Sequence, residues 1–538
     1  MIQPLLLTDE QIRAYIVDGY ILLKPSVSEE IHATINRKLT AYLESSPNPG
    51  NNVLPVVPEM RHILNSPEVR GALISVVGEG YVEHPHRYCH SMPPAEKRAG
   101  KAEKRELLAR RCHQDSYTPL AQQQRHYSRL ARIVYYPQHT PLSIGPTHVI
   151  PGTQYNGILS DEDRARAFPV DGPAGTLALT HFDIGHAAGV NLLKRRRHMI
   201  KFMFMRTEEP KAPSWNCRSE KWRPPRNIQT PHDVGITWSV MWDWMCGKAD
   251  RFASLGNRYH AVSETRVARL AENLQTIQPL DERLAAANKL AAMRSNAAAA
   301  IPAFIALLDD DHQAARIVAA YALGAIGKGA VEPLAEYLRV CGDIPKTSTT
   351  RWNEGKIAME PAAHALAAIG RPAIPALRDL LANGSEWTRI NAAFALGEMD
   401  SAAAVAIPDL VARLKYPSHR LVRTVLESLG IIRKNVFATD VSPFLSNGHR
   451  SWNKVLTRDW TARDQVRTNA AMACVRLGKA AEPAESALVE ALDDPCGYVG
   501  AYAMYALQNV GTPSALAAVQ DYLLSQRWDP SLREGRWF

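Results

Sequence analysis

The sequence predicts a multidomain chain, a β domain with flanking helices followed by an all-α solenoid, and three observations predict it. The length of 538 residues exceeds what one hydrophobic core organises, so two or more domains are expected. Strand-like apolar segments punctuate the chain between Ile21 and Met205. From about residue 280 the composition turns to alanine-rich helix, in which one phrase keeps returning.

Taken in order, Thr8 to Gln11 reads as a capping box opening a helix that ends near Asp18-Gly19. Strands are expected at Ile21 to Leu23 and Val82 to His90. In the second, His84, His86, Tyr88 and His90 alternate and so share a face. With that face turned inward, His86, Tyr88 and His90 line a substrate pocket; Pro85 instead suits a partly exposed edge strand. Residues 96–111 carry Lys97, Arg98, Lys101, Lys104, Arg105, Arg110 and Arg111 against three glutamates. This is either an electropositive lip that attracts an anionic substrate or a solvated helical insertion. Nucleic acid is not an expected partner, because that run has little aromatic interleaving and no recognised binding fold. Further strands are expected at Arg132 to Tyr136, Thr176 to Thr180 and His198 to Met205.

His113-Gln114-Asp115 places an imidazole and a carboxylate two residues apart, on one face of a strand. His186 follows 71 residues after Asp115, and Arg197 eleven residues later. Two imidazoles and one carboxylate on one face of Fe(II) leave the opposite positions open for a bidentate co-substrate and dioxygen. Arg197 lies on an apolar strand, where a buried guanidinium can grip a carboxylate through two parallel hydrogen bonds. His181-Phe182-Asp183 repeats the spacing but has no downstream histidine with a glycine-asparagine turn and an arginine behind it. His181 therefore reads as a core histidine or one that orients a ligand.

These residues resemble the phytanoyl-CoA dioxygenase family of Fe(II)/2-oxoglutarate oxygenases, together with Gly145-Pro146-Thr147, Pro151-Gly152-Thr153-Gln154, the "HAAGVN" from His186 to Asn191, and Asp18-Gly19-Tyr20. The resemblance covers roughly residues 5–206. It implies a double-stranded β-helix, or jelly roll, with His113, Asp115 and His186 as catalytic iron ligands and Arg197 holding the distal carboxylate of 2-oxoglutarate. It also implies dioxygen as oxidant, hydroxylation of a small organic substrate, and release of succinate and carbon dioxide. Ala188 stands where the family usually has Ser, and Gln154 where it has His. Asp115 speaks against a halogenase; desaturation, cyclisation and epimerisation use the same ligands and stay open.

Residues 207–265 combine Pro210, Pro213, Pro224 and Pro225 with Trp215, Trp222, Trp238, Trp242 and Trp244, too much tryptophan for a disordered linker. The segment is expected to wrap the oxygenase or to glue domains together. The recurring phrase begins at Ala286 and returns at Ala319–Gly327, Ala362–Gly370, Ala392–Asp400, Val425–Arg433, Ala470–Gly478 and Ala503–Gly511, at intervals of 30 to 45 residues. Second helices open on proline, as at Pro375 and Pro408. The pattern resembles HEAT repeats of the short PBS-lyase-like type, about seven of them. The expected domains are thus 1–206 (oxygenase), 207–265 (connecting segment) and 266–538 (HEAT-repeat solenoid). Insertions Asp343 to Lys356 and Ser446 to Ala462 bring Lys346, Arg351, Trp352, Trp452, Lys454, Arg458 and Trp460 to one edge, as an exposed binding edge or as loops packed on the oxygenase.

Seven scattered cysteines without a CxxC suggest reduced thiols and a cytoplasmic protein. No signal peptide is apparent, and no apolar run reaches the ~20 residues of a membrane span. Two functions stay open beside a small-molecule oxygenase: a protein or peptide hydroxylase whose HEAT repeats recruit the polypeptide partner, and an idle binding protein.

Overall fold

The computed structural model describes residues 3–94, 101–115, 124–255, 263–275, 277–341, 358–434, 436–453, 455–457 and 460–527. They fall into two compact units. The first takes in the described residues up to Leu334 and again 358–368; the second takes in 335–341 and the chain from Ile369 onward.

In the first unit, helix α1 (Asp9–Asp18) opens on the Thr8–Gln11 capping box and stops at Gly19, whose φ of 77° needs no Cβ in the way. Strand β1 (Tyr20–Leu23) follows, then helices α2 (Glu29–Ser45) and α3 (Pro67–Val77), which is capped by Ser66. Next come β2 (Val82–Glu83), β3 (Tyr88–Met92), helix α4 (Lys101–Arg111), β4 (Leu130–Tyr135), β5 (Thr147–Ile150), β6 (Phe168–Pro169), β7 (Leu177–His181), β8 (Gly185–Ala188) and β9 (Arg197–Met205). One sheet runs β1-β7-β4-β9-β2, with β3 also pairing to β9; a smaller sheet runs β6-β5-β8.

Register decides which side chains point inward. Val134 pairs with both Ala178 and Lys201, Tyr88 also pairs with Lys201, and Met92 pairs with Arg197. Val134, Ala178 and Met199 of the large sheet share one core with Val149 of β5, Val170 and Ile184. Alternation then puts Arg132, Arg197 and Lys201 on the same inner face. Every residue of β4 and β9 is buried, so cations on these strands have no route to bulk water along the sheet.

Three expectations are corrected. The two sheets share a core but do not close into a barrel among the described residues, so the expected jelly roll gives way to two separate sheets around one cluster. The strand expected from Val82 to His90 is broken. Glu83 pairs with Phe204 and Tyr88 with Lys201, so the four residues His84 to Arg87 lie opposite two, a bulge centred on Pro85. Trp452, expected to be exposed, is buried and donates through Nε1 to the Pro417 carbonyl. Trp460 stands edge-on to Tyr498, with 5.6 Å between ring centroids. Lys346, Arg351, Trp352, Lys454 and Arg458 lie outside the described residues, as do Lys97 and Arg98.

The tryptophan-rich segment packs on the β domain. Trp215 Nε1 donates to Asp9 Oδ1 at 2.8 Å. Glu209 accepts from Arg129 and from Trp244 Nε1, while Trp244 stacks on Tyr127 at 4.8 Å. Helix α5 (Gly235–Met245) is buried on all sides from Ile236 to Met245, which accounts for its lack of an apolar stripe.

All seven phrases lie in helices: Leu280–Ala292, Gln313–Ile326, Pro361–Ile369, Glu386–Glu398, His419–Ile432, Ala462–Leu477 and Gly497–Val510. Each helix ends one or two residues before a residue with positive φ: Arg294, Gly327, Gly370, Asp400, Arg433, Gly478 and Gly511. The phrase is therefore a helix together with its stop. In the second unit, neighbouring pairs approach closely where Gly397 meets Ser428 and Gly430 meets Ala473, where an added Cβ would clash.

Candidate metal centre

His113 and His186 face each other across a two-residue antiparallel bridge, with His113 N–H donating to His186 O at 3.0 Å and His186 N–H to His113 O at 2.9 Å. Since Val149 pairs with His186 and belongs to the shared core, both imidazoles and Asp115, two residues on, turn inward. The ring centroids are 4.5 Å apart. Gln114 points the opposite way and is buried; its Nε2 lies 2.9 to 3.0 Å from the carbonyls of Thr153, Asn156 and Asp183. The middle residue of the motif thus ties the ligand strand to the turn that begins at Pro151.

Both histidines have their tautomer set locally. His113 Nδ1 lies 2.7 Å from Arg111 O and His186 Nδ1 3.1 Å from Ile184 O. A carbonyl only accepts, so Nδ1 carries the hydrogen and each Nε2 presents a lone pair to the interior. His113 Nε2 is 3.6 Å from Asp115 Oδ1, His186 Nε2 is 3.6 Å from Asp115 Oδ2, and one donor atom from each residue lies within 4.8 Å of the others. Metal–ligand bonds of about 2.0–2.2 Å bring neighbouring donors to about 3 Å, so a small contraction closes the set on a divalent ion. Asp115 Oδ2 is buried and makes no aligned hydrogen bond. Two imidazoles and a carboxylate fit a transition metal such as Fe(II).

Two cations that sequence reasoning did not single out stand in this site. Arg132 Nη1 is 2.9 Å from Asp115 Oδ2, as an ion contact without hydrogen-bond alignment, and 2.9 Å from His186 Nε2. Its Nη2 donates to Phe182 O, and the guanidinium lies 5.3 Å from the Phe182 ring centroid. Lys201 Nζ is 3.6 Å from Asp115 Oδ2. Burial alone would raise the Asp115 pKa, but Lys201 and Arg132 outweigh it and hold the carboxyl well below its usual range. Burial, reinforced by Arg132, pushes His186 down to about 3, so it remains a neutral donor. Lys201 was legible in principle, since it shares strand parity with Arg197 four residues earlier.

Arg197 is 1% exposed and on the inner face; its Nη1 donates to the Gly145 carbonyl, in the Gly145-Pro146-Thr147 segment, and its Nε has no partner. Gly145 has a φ of 71°, and a Cβ there would strike the Val190 backbone, so the turn can approach Arg197 only as glycine. Asn191 is structural: its Nδ2 donates to the carbonyls of Met92 and Arg195.

Of the expected pocket residues, His86 is buried, and His90 crosses Tyr88 edge to face at 4.8 Å between centroids. Burial, then the charge of Lys201, holds His86 and His90 well below the ordinary imidazole range, and both feel Asp115. His181 takes no part in the ligand set. Its neighbour Thr180 pairs with Arg132 on the inner face, so His181 turns outward, accepts from Asp183 N–H at 3.2 Å and lies 6.4 Å from Tyr15, ring to ring.

A HEAT-repeat family model matches residues 360–430. No curated protein matches the chain. Similar solved structures include the non-heme alpha ketoglutarate dependent carbocyclase SnoK from nogalamycin biosynthesis, at 16% identity over 38% of this chain and 85% of that one, TM-score 0.30. The non-heme monooxygenase ThoJ in complex with nickel shows 13% identity over 40% and 90%, TM-score 0.28. EctD from S. alaskensis, with 2-oxoglutarate and 5-hydroxyectoine, shows 15% identity over 42% and 91%, TM-score 0.29.

Proposed function

We propose that the chain is an Fe(II)- and 2-oxoglutarate-dependent dioxygenase of the phytanoyl-CoA dioxygenase type, hydroxylating a small organic substrate. The observation that carries this reading is the convergence of His113 Nε2, His186 Nε2 and the Asp115 carboxylate, with both Nδ1 atoms tied to backbone carbonyls. Arg197, buried on the same inner face with a free Nε, suits the distal carboxylate of 2-oxoglutarate. When bound, Fe(II) supplies the redox chemistry that couples oxidative decarboxylation of 2-oxoglutarate to oxidation of a substrate C–H bond by dioxygen, with succinate and carbon dioxide as products.

The protein's own groups orient and exclude. Asp115 stays ionised and His186 neutral, which is the protonation state ligation requires of them. His86, Tyr88 and His90 form the wall where the substrate's polar groups would be read, and the buried faces of β4 and β9 keep bulk water from the reacting centre. The test is turnover of 2-oxoglutarate without substrate. Slow, Fe(II)-dependent formation of succinate supports the reading, and no succinate above the level of a His113→Ala, His186→Ala double variant contradicts it.

The HEAT match gives a second reading its footing: repeats of this type offer extended surfaces, and a polypeptide substrate could be presented through them. Succinate formation stimulated by a peptide rather than by small organic acids would favour it.

A further inference from the structure

We infer that Arg132 competes with the metal for Asp115 and His186, so that metal binding and anion binding at this centre are coupled through one guanidinium. The inference rests on reading His113, Asp115 and His186 as a metal centre. Arg132 Nη1 stands 2.9 Å from Asp115 Oδ2 and 2.9 Å from His186 Nε2, two of the three donor atoms. A donor N–H and a divalent cation cannot share the same Nε2 lone pair. Nor do a guanidinium and a dication sit side by side on one carboxylate without repulsion, least of all where water is excluded.

The cation cannot retreat to solvent either. Arg132 is 1% exposed, its strand is buried on both faces, and Nη2 is anchored on the Phe182 carbonyl. What it can do is turn about that anchor toward an anion entering the pocket, since its Nε–H has no partner. Lys201 adds a second positive charge 3.6 Å from the same carboxylate. Metal without an anion therefore meets two resident cations, whereas metal with an oxyanion or carboxylate beside it meets a neutralised pair. Each ligand raises the affinity for the other, and the relation is reciprocal.

Cobalt(II), which is stable in air and has a visible spectrum sensitive to its ligands, is the probe, titrated into the full-length chain at constant ionic strength. In the wild type, sulfate, which does not chelate cobalt, is expected to tighten cobalt binding, and 2-oxoglutarate to tighten it further. Arg132→Gln should bind cobalt alone about tenfold more tightly than wild type and lose the response to sulfate. Arg132→Lys, which keeps the charge, should keep the response. Cobalt binding to Arg132→Gln no tighter than to wild type, or a wild-type affinity indifferent to sulfate, overturns the inference. The sulfate comparison needs only the unmodified chain, so it decides the matter even where Arg132→Gln does not fold. Cobalt that binds no chain, or binds one lacking His113 and His186 equally well, instead overturns the metal-centre reading itself.

Discussion

Asp115 faces two buried cations as well as two imidazoles, so removing it costs more than the proposed metal ligand. Asp115→Ala, His113→Ala and His186→Ala should each abolish Fe(II)-dependent succinate formation. Asp115→Ala should also lower the stability of the metal-free protein by about 3 kcal/mol, because it removes the buried carboxylate that Arg132 and Lys201 face. His113→Ala, whose side chain is 27% exposed, should cost clearly less in urea denaturation. Arg197→Ala should raise the 2-oxoglutarate requirement by the equivalent of about 2–5 kcal/mol in initial-rate measurements. Arg195→Ala and Arg196→Ala, both on the exposed loop before β9, should change it little. At this scale the His113, Asp115 and His186 cluster and the inward strand position of Arg197 were legible, because the chemistry proposed for them dictates residue type and spacing. Arg132 was not, since an arginine in an apolar strand reads equally well as pointing outward until pairing with Thr180 and Met203 assigns its face.

Among the elements, the repeats were the most legible part, because one phrase encodes both a buried helix face and the left-handed residue that ends it. Three of the seven ends use Arg294, Asp400 and Arg433 in place of glycine. Asp400→Gly, at φ 54°, should stabilise the protein by about 0.5–1 kcal/mol, seen as a higher melting temperature. Strand boundaries were less legible: Pro85 marked an irregularity, but only pairing with β9 shows that four residues bulge there. The stacking of His126 on His364, 4.0 Å apart and 7° from parallel, could not be read from residues so distant in sequence. Burial, then Arg125, pushes His364 down to about 3, and burial, then His364, holds His126 well below 6.5. The unfolded chain thus binds more protons than the folded one below pH 6.5, and stability is lost as pH falls from there toward 3. Unfolding by urea at pH 7 and pH 5 should show a smaller loss for His364→Phe than for wild type.

For the molecule as a whole, the composition change near residue 280 marks where the architecture changes, but the first compact unit runs past it. His126, beside the strand that carries Arg132, is covered by the Tyr321 hydroxyl at 2.7 Å and by the ring of His364. A chain ending at residue 265 should therefore melt at lower temperature and bind hydrophobic dye more strongly than one ending at residue 370; equal behaviour of the two would mean that the early repeats add nothing to the β domain. Among the described residues no helix is long and apolar enough to cross a membrane. The central claim is that His113, Asp115 and His186 hold Fe(II) with 2-oxoglutarate beside it, and an anaerobic absorption spectrum tests it without knowledge of the substrate. Adding Fe(II) and 2-oxoglutarate together to the full-length protein should produce a visible charge-transfer band that neither produces alone and that Asp115→Ala lacks. Absence of that band, or its persistence in a chain lacking His113 and His186, would contradict the account.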